Sequence, residues 1–298
     1  MYTGPIIDPH HHLWDLSLGK HHWLSPADPS VQVRPGLSTI AHDYLVDDYL
    51  RDAARQNVVA TVHIEALWAG GPVEETRWLE TLDKSRGVAA RYVASAALGK
   101  PGAAAIIAEQ AAFGRVVGVR GILSCHPDPT KSFVADPALA YDAAWRRDVG
   151  LLRDHGLHLE LMMYPYQAEA VFDLGRAFPD LTIIINHCGS PIDRDPAGME
   201  RWRDALRQLA ALPNLALKIS NPGAYDPAWS LDSIRDVVMH CIDCFGSDRA
   251  MFGTDYPVSR IQMSFDQIYD AFKAVVEPLP EDEQAKLFYG NAKRFYRL

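Results

Sequence analysis

The chain has 298 residues, of which 48% are hydrophobic and 22% charged, with 20 glycines and 20 prolines. Such a composition supports a large buried core and excludes disorder or a collagen-like repeat. Lys and Arg number 29 against 38 Asp and Glu, and the formal charge of -9 repels phosphate backbones and anionic lipid. The expected partner is a small-molecule substrate rather than nucleic acid or membrane, with a homo-oligomer left open. Met1 to Pro5 lacks the basic and apolar regions of a signal peptide, and no apolar run approaches the roughly 20 residues of a spanning helix. A cytoplasmic protein is expected.

One rhythm runs through the chain: a short β-branched apolar run, a loop, then an amphipathic segment. Strands are expected near Ile6 to His10, Val58 to Glu65, Ala89 to Ala96, Val116 to Leu123, Leu157 to Tyr164, Leu181 to His187, Leu215 to Ser220 and Ala250 to Thr254. Eight such units without a composition break predict one domain over 1–298, a single (β/α)8 TIM barrel rather than an open doubly wound sheet. Leu13 to Ser38, with Trp14, Trp23, Pro26, Pro29 and Pro35, is a long loop after the first strand, expected to cover the barrel mouth. Asp226 before Pro227 reads as a helix N-cap, and Gly290 before Asn291 as a helix stop followed by a new start. Four cysteines are too few and too irregular for a disulfide scaffold. Cys241 and Cys244 fall in a helical-period pattern with Ile234, Val237, Val238, Ile242 and Phe245 and read as small buried groups.

The chemistry concentrates at strand ends. His10 and His12 in Asp8-Pro9-His10-His11-His12 share a face, and two imidazoles suit zinc or a related first-row ion. His187 ends the sixth expected strand and Asp255 the eighth. Taken singly each could cap a loop, but a closed barrel sets its first and eighth strands side by side, with His187 facing them. Arg120 could bind a substrate carboxylate or pair with a loop carboxylate. Glu65 could ligate or bind sugar hydroxyls, and Lys218 could contact substrate or pair with Glu160. Trp14, Trp23 and Trp68 could stack on a sugar, although core packing is the commoner use of tryptophan.

Asp8 to Asp15, Asn186-His187-Cys188-Gly189, Phe252-Gly253-Thr254-Asp255-Tyr256-Pro257 and Tyr289 to Tyr296 resemble the amidohydrolase superfamily, in its branch of sugar-acid lactonases and pyrone dicarboxylate lactonase. The resemblance implies a mononuclear site of His10, His12, His187 and Asp255, with Asp255 as general base and His187 touching water or carbonyl. The chain departs from that pattern at Asn186, at Ser220-Asn221-Pro222-Gly223, and at the fifth strand, where Tyr164 and Glu160 stand in place of a histidine. The implied function is hydrolysis of a lactone of a sugar acid or related carboxylated ring, with one divalent ion, zinc first, or without metal on the same residues. Metal-dependent decarboxylation of an aromatic or unsaturated acid is the alternative.

Overall fold

A computed structural model describes residues 1–25 and 36–298. Eight parallel strands lie in the order β1 to β8: Ile6–His11, Val58–Ile64, Arg91–Ala94, Val116–Ile122, His158–Met162, Ile183–Ile185, Leu215–Ser220 and Ala250–Gly253. They fall where the sequence puts them, with several ends trimmed. Closure comes just past β8, where Asp255 N donates to His10 O at 2.7 Å and His12 N to Tyr256 O at 2.8 Å. The architecture is a (β/α)8 barrel.

Buried side chains divide into two layers. Ile7, Val62, Val93, Val117, Ile184, Ala216 and Met251 fill the barrel interior together with Tyr296 of the last helix. The larger layer packs the strands against the surrounding helices and includes Val237, Val238, Cys241 and Phe245, on the helical face read from sequence. Among the described residues, no helix is long and apolar enough to cross a membrane.

Two helix boundaries differ from expectation. The helix after β7 spans Leu231–Arg249 and starts at a Ser230/Ser233 capping box, not at Asp226. Asp226 instead pairs with Arg194 at 3.2 Å, so its carboxylate is spent between two loops. Gly290 stops nothing: it has right-handed helical angles (φ -62°, ψ -42°) and leads directly into Asn291–Tyr296. Asn291 Nδ2 donates to the Ser247 and Ala250 carbonyls, which ties this helix to the start of β8. Of the long loop, Pro26, Pro29 and Pro35 lie outside the described residues. Its described part is anchored by Trp23 Nε1, which donates to Ala66 O at 3.0 Å, and by Ala69 N, which donates to Lys20 O at 2.7 Å.

Candidate active site

Strand β1 carries a register shift between Asp8 and His11, across Pro9, which has no N–H for the ladder. Beyond it, His10 and His12 both turn to Asp255. Asp255 Oδ1 lies 3.2 Å from His10 Nε2 and 3.0 Å from His12 Nε2, and Oδ2 accepts from Asn221 Nδ2 at 2.7 Å. The His187 ring lies 4.6 Å from that of His10, tilted by 45°, and its Nδ1 is 3.0 Å from Ser220 Oγ. Gly253 permits this approach, because a Cβ there would stand 3.2 Å from that of His10.

The backbone is strained where it presents these groups. His187, Cys188, Gly189 and Ser190 have φ of 53°, 56°, 67° and 53°, a full left-handed turn, and Asn221 and Asp255 have 46° and 60°. Each non-glycine residue in that region costs about 1–2 kcal/mol. Strain of this kind persists where it positions functional groups.

The donor set fits a divalent ion. Ligand atoms of His10, His187 and Asp255 lie within 4.8 Å of one another, all in buried residues. Ile64 O can only accept, so at 2.8 Å it fixes the hydrogen on His12 Nδ1. With that hydrogen on Nδ1, His12 Nε2 faces Asp255 Oδ1 at 3.0 Å. His10 Nε2, also near that oxygen, has no well-aligned hydrogen-bond partner.

Electrostatics favour neutral rings at His10 and His187 beside an ionised Asp255. Burial, then Lys218 and His187, hold His10 well below the usual imidazole range. Burial, joined by Arg120 and Lys218, takes His187 down to about 4 against the pull of Asp255. Burial alone would raise Asp255, but His187, His10 and His12 outweigh it and hold the carboxyl well below its usual range.

Other residues singled out from sequence divide into three groups. Arg120 and Glu65 stay near the mouth: Arg120 Nη1 is 3.4 Å from Glu65 Oε1 and 3.3 Å from its carbonyl, while Arg120 Nε is buried without a partner. Tyr164 lies just beyond β5, buried, its hydroxyl donating to Lys131 O at 2.8 Å. Lys218 and Trp14 each have partners within the protein. Lys218 is wholly buried, 2.6 Å from Glu160 Oε2 and 2.8 Å from Pro9 O, so the competing reading is the observed one. Trp14 is a core side chain whose Nε1 donates to His42 O at 2.8 Å.

Three contributors escaped the sequence reading. Asp8 accepts from Thr254 N and Oγ1, Tyr49 Oη and His10 N, and so ties β1 to β8 beneath the site. Ser190 is fully buried with an unpartnered hydroxyl. Tyr225, in the loop after β7, has Asp255, Cys188 and Arg120 as its electrostatic neighbours. Asp8 carried a strand-end signal; the two loop residues carried none.

The amidohydrolase family model matches residues 7–298. The chain belongs to the amidohydrolase family. This amidohydrolase is 36% identical to an uncharacterized protein, y4mH, of Sinorhizobium fredii, over 98% of each chain. It is 29% identical to an L-fucono-1,5-lactonase of Burkholderia ambifaria, covering 98% of this chain and 95% of that one. An amidohydrolase of Burkholderia multivorans crystallised with zinc superposes with a TM-score of 0.82 at 26% identity, covering 99% of this chain and 100% of that one. As its family implies, the chain is a hydrolase.

Proposed function

We propose that this amidohydrolase opens a lactone of a sugar acid or a related small carboxylated ring, with one divalent ion, zinc, held by His10, His187 and Asp255 beside His12. One observation carries the reading: three imidazoles gather around a single buried, ionised carboxylate at the mouth of the barrel. The likeness to L-fucono-1,5-lactonase supports the choice of lactone over other hydrolysable bonds.

A bound divalent ion supplies Lewis-acid charge and lowers the pKa of water towards ~7. Asp255 takes the proton of the attacking water. Asn221, through its 2.7 Å bond to Oδ2, keeps the other oxygen turned towards His10 and His12. His187, its Nδ1 braced by Ser220, would present Nε2 to the ion or, where the same residues act without metal, to the carbonyl oxygen as negative charge develops there. Arg120 binds a substrate carboxylate or the acid product, because its protein contacts are long and its Nε has none.

The test is a pH-indicator assay over sugar γ- and δ-lactones and a carboxylated pyrone lactone. Acid release from at least one class is expected. Carbon dioxide from an aromatic acid, with no acid from any lactone, would overturn the reading in favour of decarboxylation.

A further inference from the structure

Glu75 lies in the first turn of the helix Glu74–Thr81, only 2% exposed, and the proposed mechanism makes no use of it. Among the described residues its ion-pairing partner is an imidazole, His63 Nε2 at 3.1 Å, and no lysine or arginine stands within ion-pair distance. Burying an acid without a cation is costly, and such exceptions persist where they serve a functional site.

The bonds of Glu75 lead to His12. Leu13 N donates to His63 Nδ1 at 3.2 Å. Burial holds the His63 ring neutral, and an amide nitrogen can only donate, so Nδ1 is the accepting nitrogen and the ring hydrogen sits on Nε2, which donates to Glu75 Oε1. Ala66 N donates to the same oxygen at 2.9 Å and fixes the carboxyl against the end of β2. Leu13 follows His12 in the chain, and Ile64, whose carbonyl accepts from His12 Nδ1 at 2.8 Å, follows His63. The two holds on His12, one on its following peptide and one on its ring, therefore both depend on His63. The two rings stand 6.2 Å apart and nearly perpendicular. At the far end of the chain of bonds, His12 Nε2 faces Asp255 Oδ1 at 3.0 Å.

We propose that Glu75 is a positioning residue: by fixing the tautomer and orientation of His63, it sets the His12 imidazole against Asp255. What the site asks of Glu75 is one oxygen that accepts two hydrogen bonds, not a charge. Burial and the neighbouring Glu65 push its carboxyl well above the usual range, towards a neutral group that still accepts at Oε1. Glutamine offers the same acceptor, and leucine offers none.

The effect on turnover rests on the lactonase reading, and the experiment separates the two. Wild type, Glu75→Leu, Glu75→Gln, His63→Leu and the double variant Glu75→Leu/His63→Leu are compared in sugar-lactone kinetics, while NMR of nitrogen-15 histidine reads the ring tautomers. Glu75→Leu lowers kcat roughly 10- to 100-fold with KM little changed, and the Nδ1–H signal of His12 gives way to a mixture of tautomers. Glu75→Gln recovers most of kcat and the wild-type His12 signal. Because Glu75 acts through His63, the double variant falls no further than His63→Leu alone. Additive losses, equal falls in Glu75→Gln and Glu75→Leu, or an unchanged His12 signal in Glu75→Leu would overturn the positioning role. Should Glu75→Leu not fold, a Glu75→Gln enzyme as impaired as His63→Leu would overturn it equally. A wild-type enzyme that opens no sugar lactone would overturn the lactonase reading instead, with the His12 signal still deciding the role of Glu75.

Discussion

Lys218 Nζ lies 2.6 Å from Glu160 Oε2, and both side chains are completely buried within the barrel. The pair is fully dressed. Asn186 Nδ2 and Tyr296 Oη donate to Glu160 at 2.9 and 2.6 Å, and Lys218 also meets Pro9 O and stands 3.5 Å from His10 Nδ1. Breaking a buried pair strands a charge, so Glu160→Gln is expected to lose about 3–5 kcal/mol of unfolding free energy in denaturant titrations. Replacing both partners by Leu and Met should cost less than the single change.

Asp255→Asn removes the base but keeps shape and size. Its amide can still meet Asn221 and the imidazoles, so far-UV circular dichroism should match the wild type. Lactonase kcat is expected to drop roughly 10²- to 10⁴-fold.

Metal content tests the donor set without reference to activity. Protein purified without chelator is expected to carry one divalent ion per chain by elemental analysis. His10→Ala and His187→Ala should each remove it, because each takes a ligand from a cluster whose atoms lie within 4.8 Å. Retention of the ion in both variants would place it elsewhere.

Asp193 clasps three loops, meeting Lys131 Nζ at 2.9 Å, Tyr166 Oη at 2.8 Å and His126 Nε2 at 3.1 Å. Burial pushes its carboxyl up, and these partners together more than offset that and bring it down to about 2. A folded-state value below the unfolded value of about 3.9 means the contribution to stability is complete above that pH and fades as pH falls through the folded value. The melting-temperature gap between wild type and Asp193→Asn should therefore be widest at neutral pH and close towards pH 2.

The barrel and its metal-like rim were legible because both are strand properties. Alternating apolar runs predict parallel strands, and a polar residue at a strand's carboxyl end must face the mouth, which located His10, His12, His187 and Asp255. What lies inside the barrel was ambiguous: Lys218 and Ser220 share a face, but only packing decides that Lys218 meets Glu160 and not substrate. Loop contributions were illegible. Ser190 depends on a left-handed turn that no pattern announces, and Tyr225 depends on a short turn after β7 whose pins, Asp226 and Trp229, find partners more than thirty residues away. Asp226 misled for the same reason, since Asp before Pro is a cap signal only when nothing distant competes for the carboxylate.

Attack of water on the lactone carbonyl is the step on which the whole account depends, and hydrolysis in oxygen-18 water reads it directly. Mass spectrometry of the ring-opened acid should find one heavy oxygen in the new carboxylate and none in the released hydroxyl. Label in the hydroxyl, or recovery of unopened lactone after prolonged incubation with metal-replete enzyme, would contradict it.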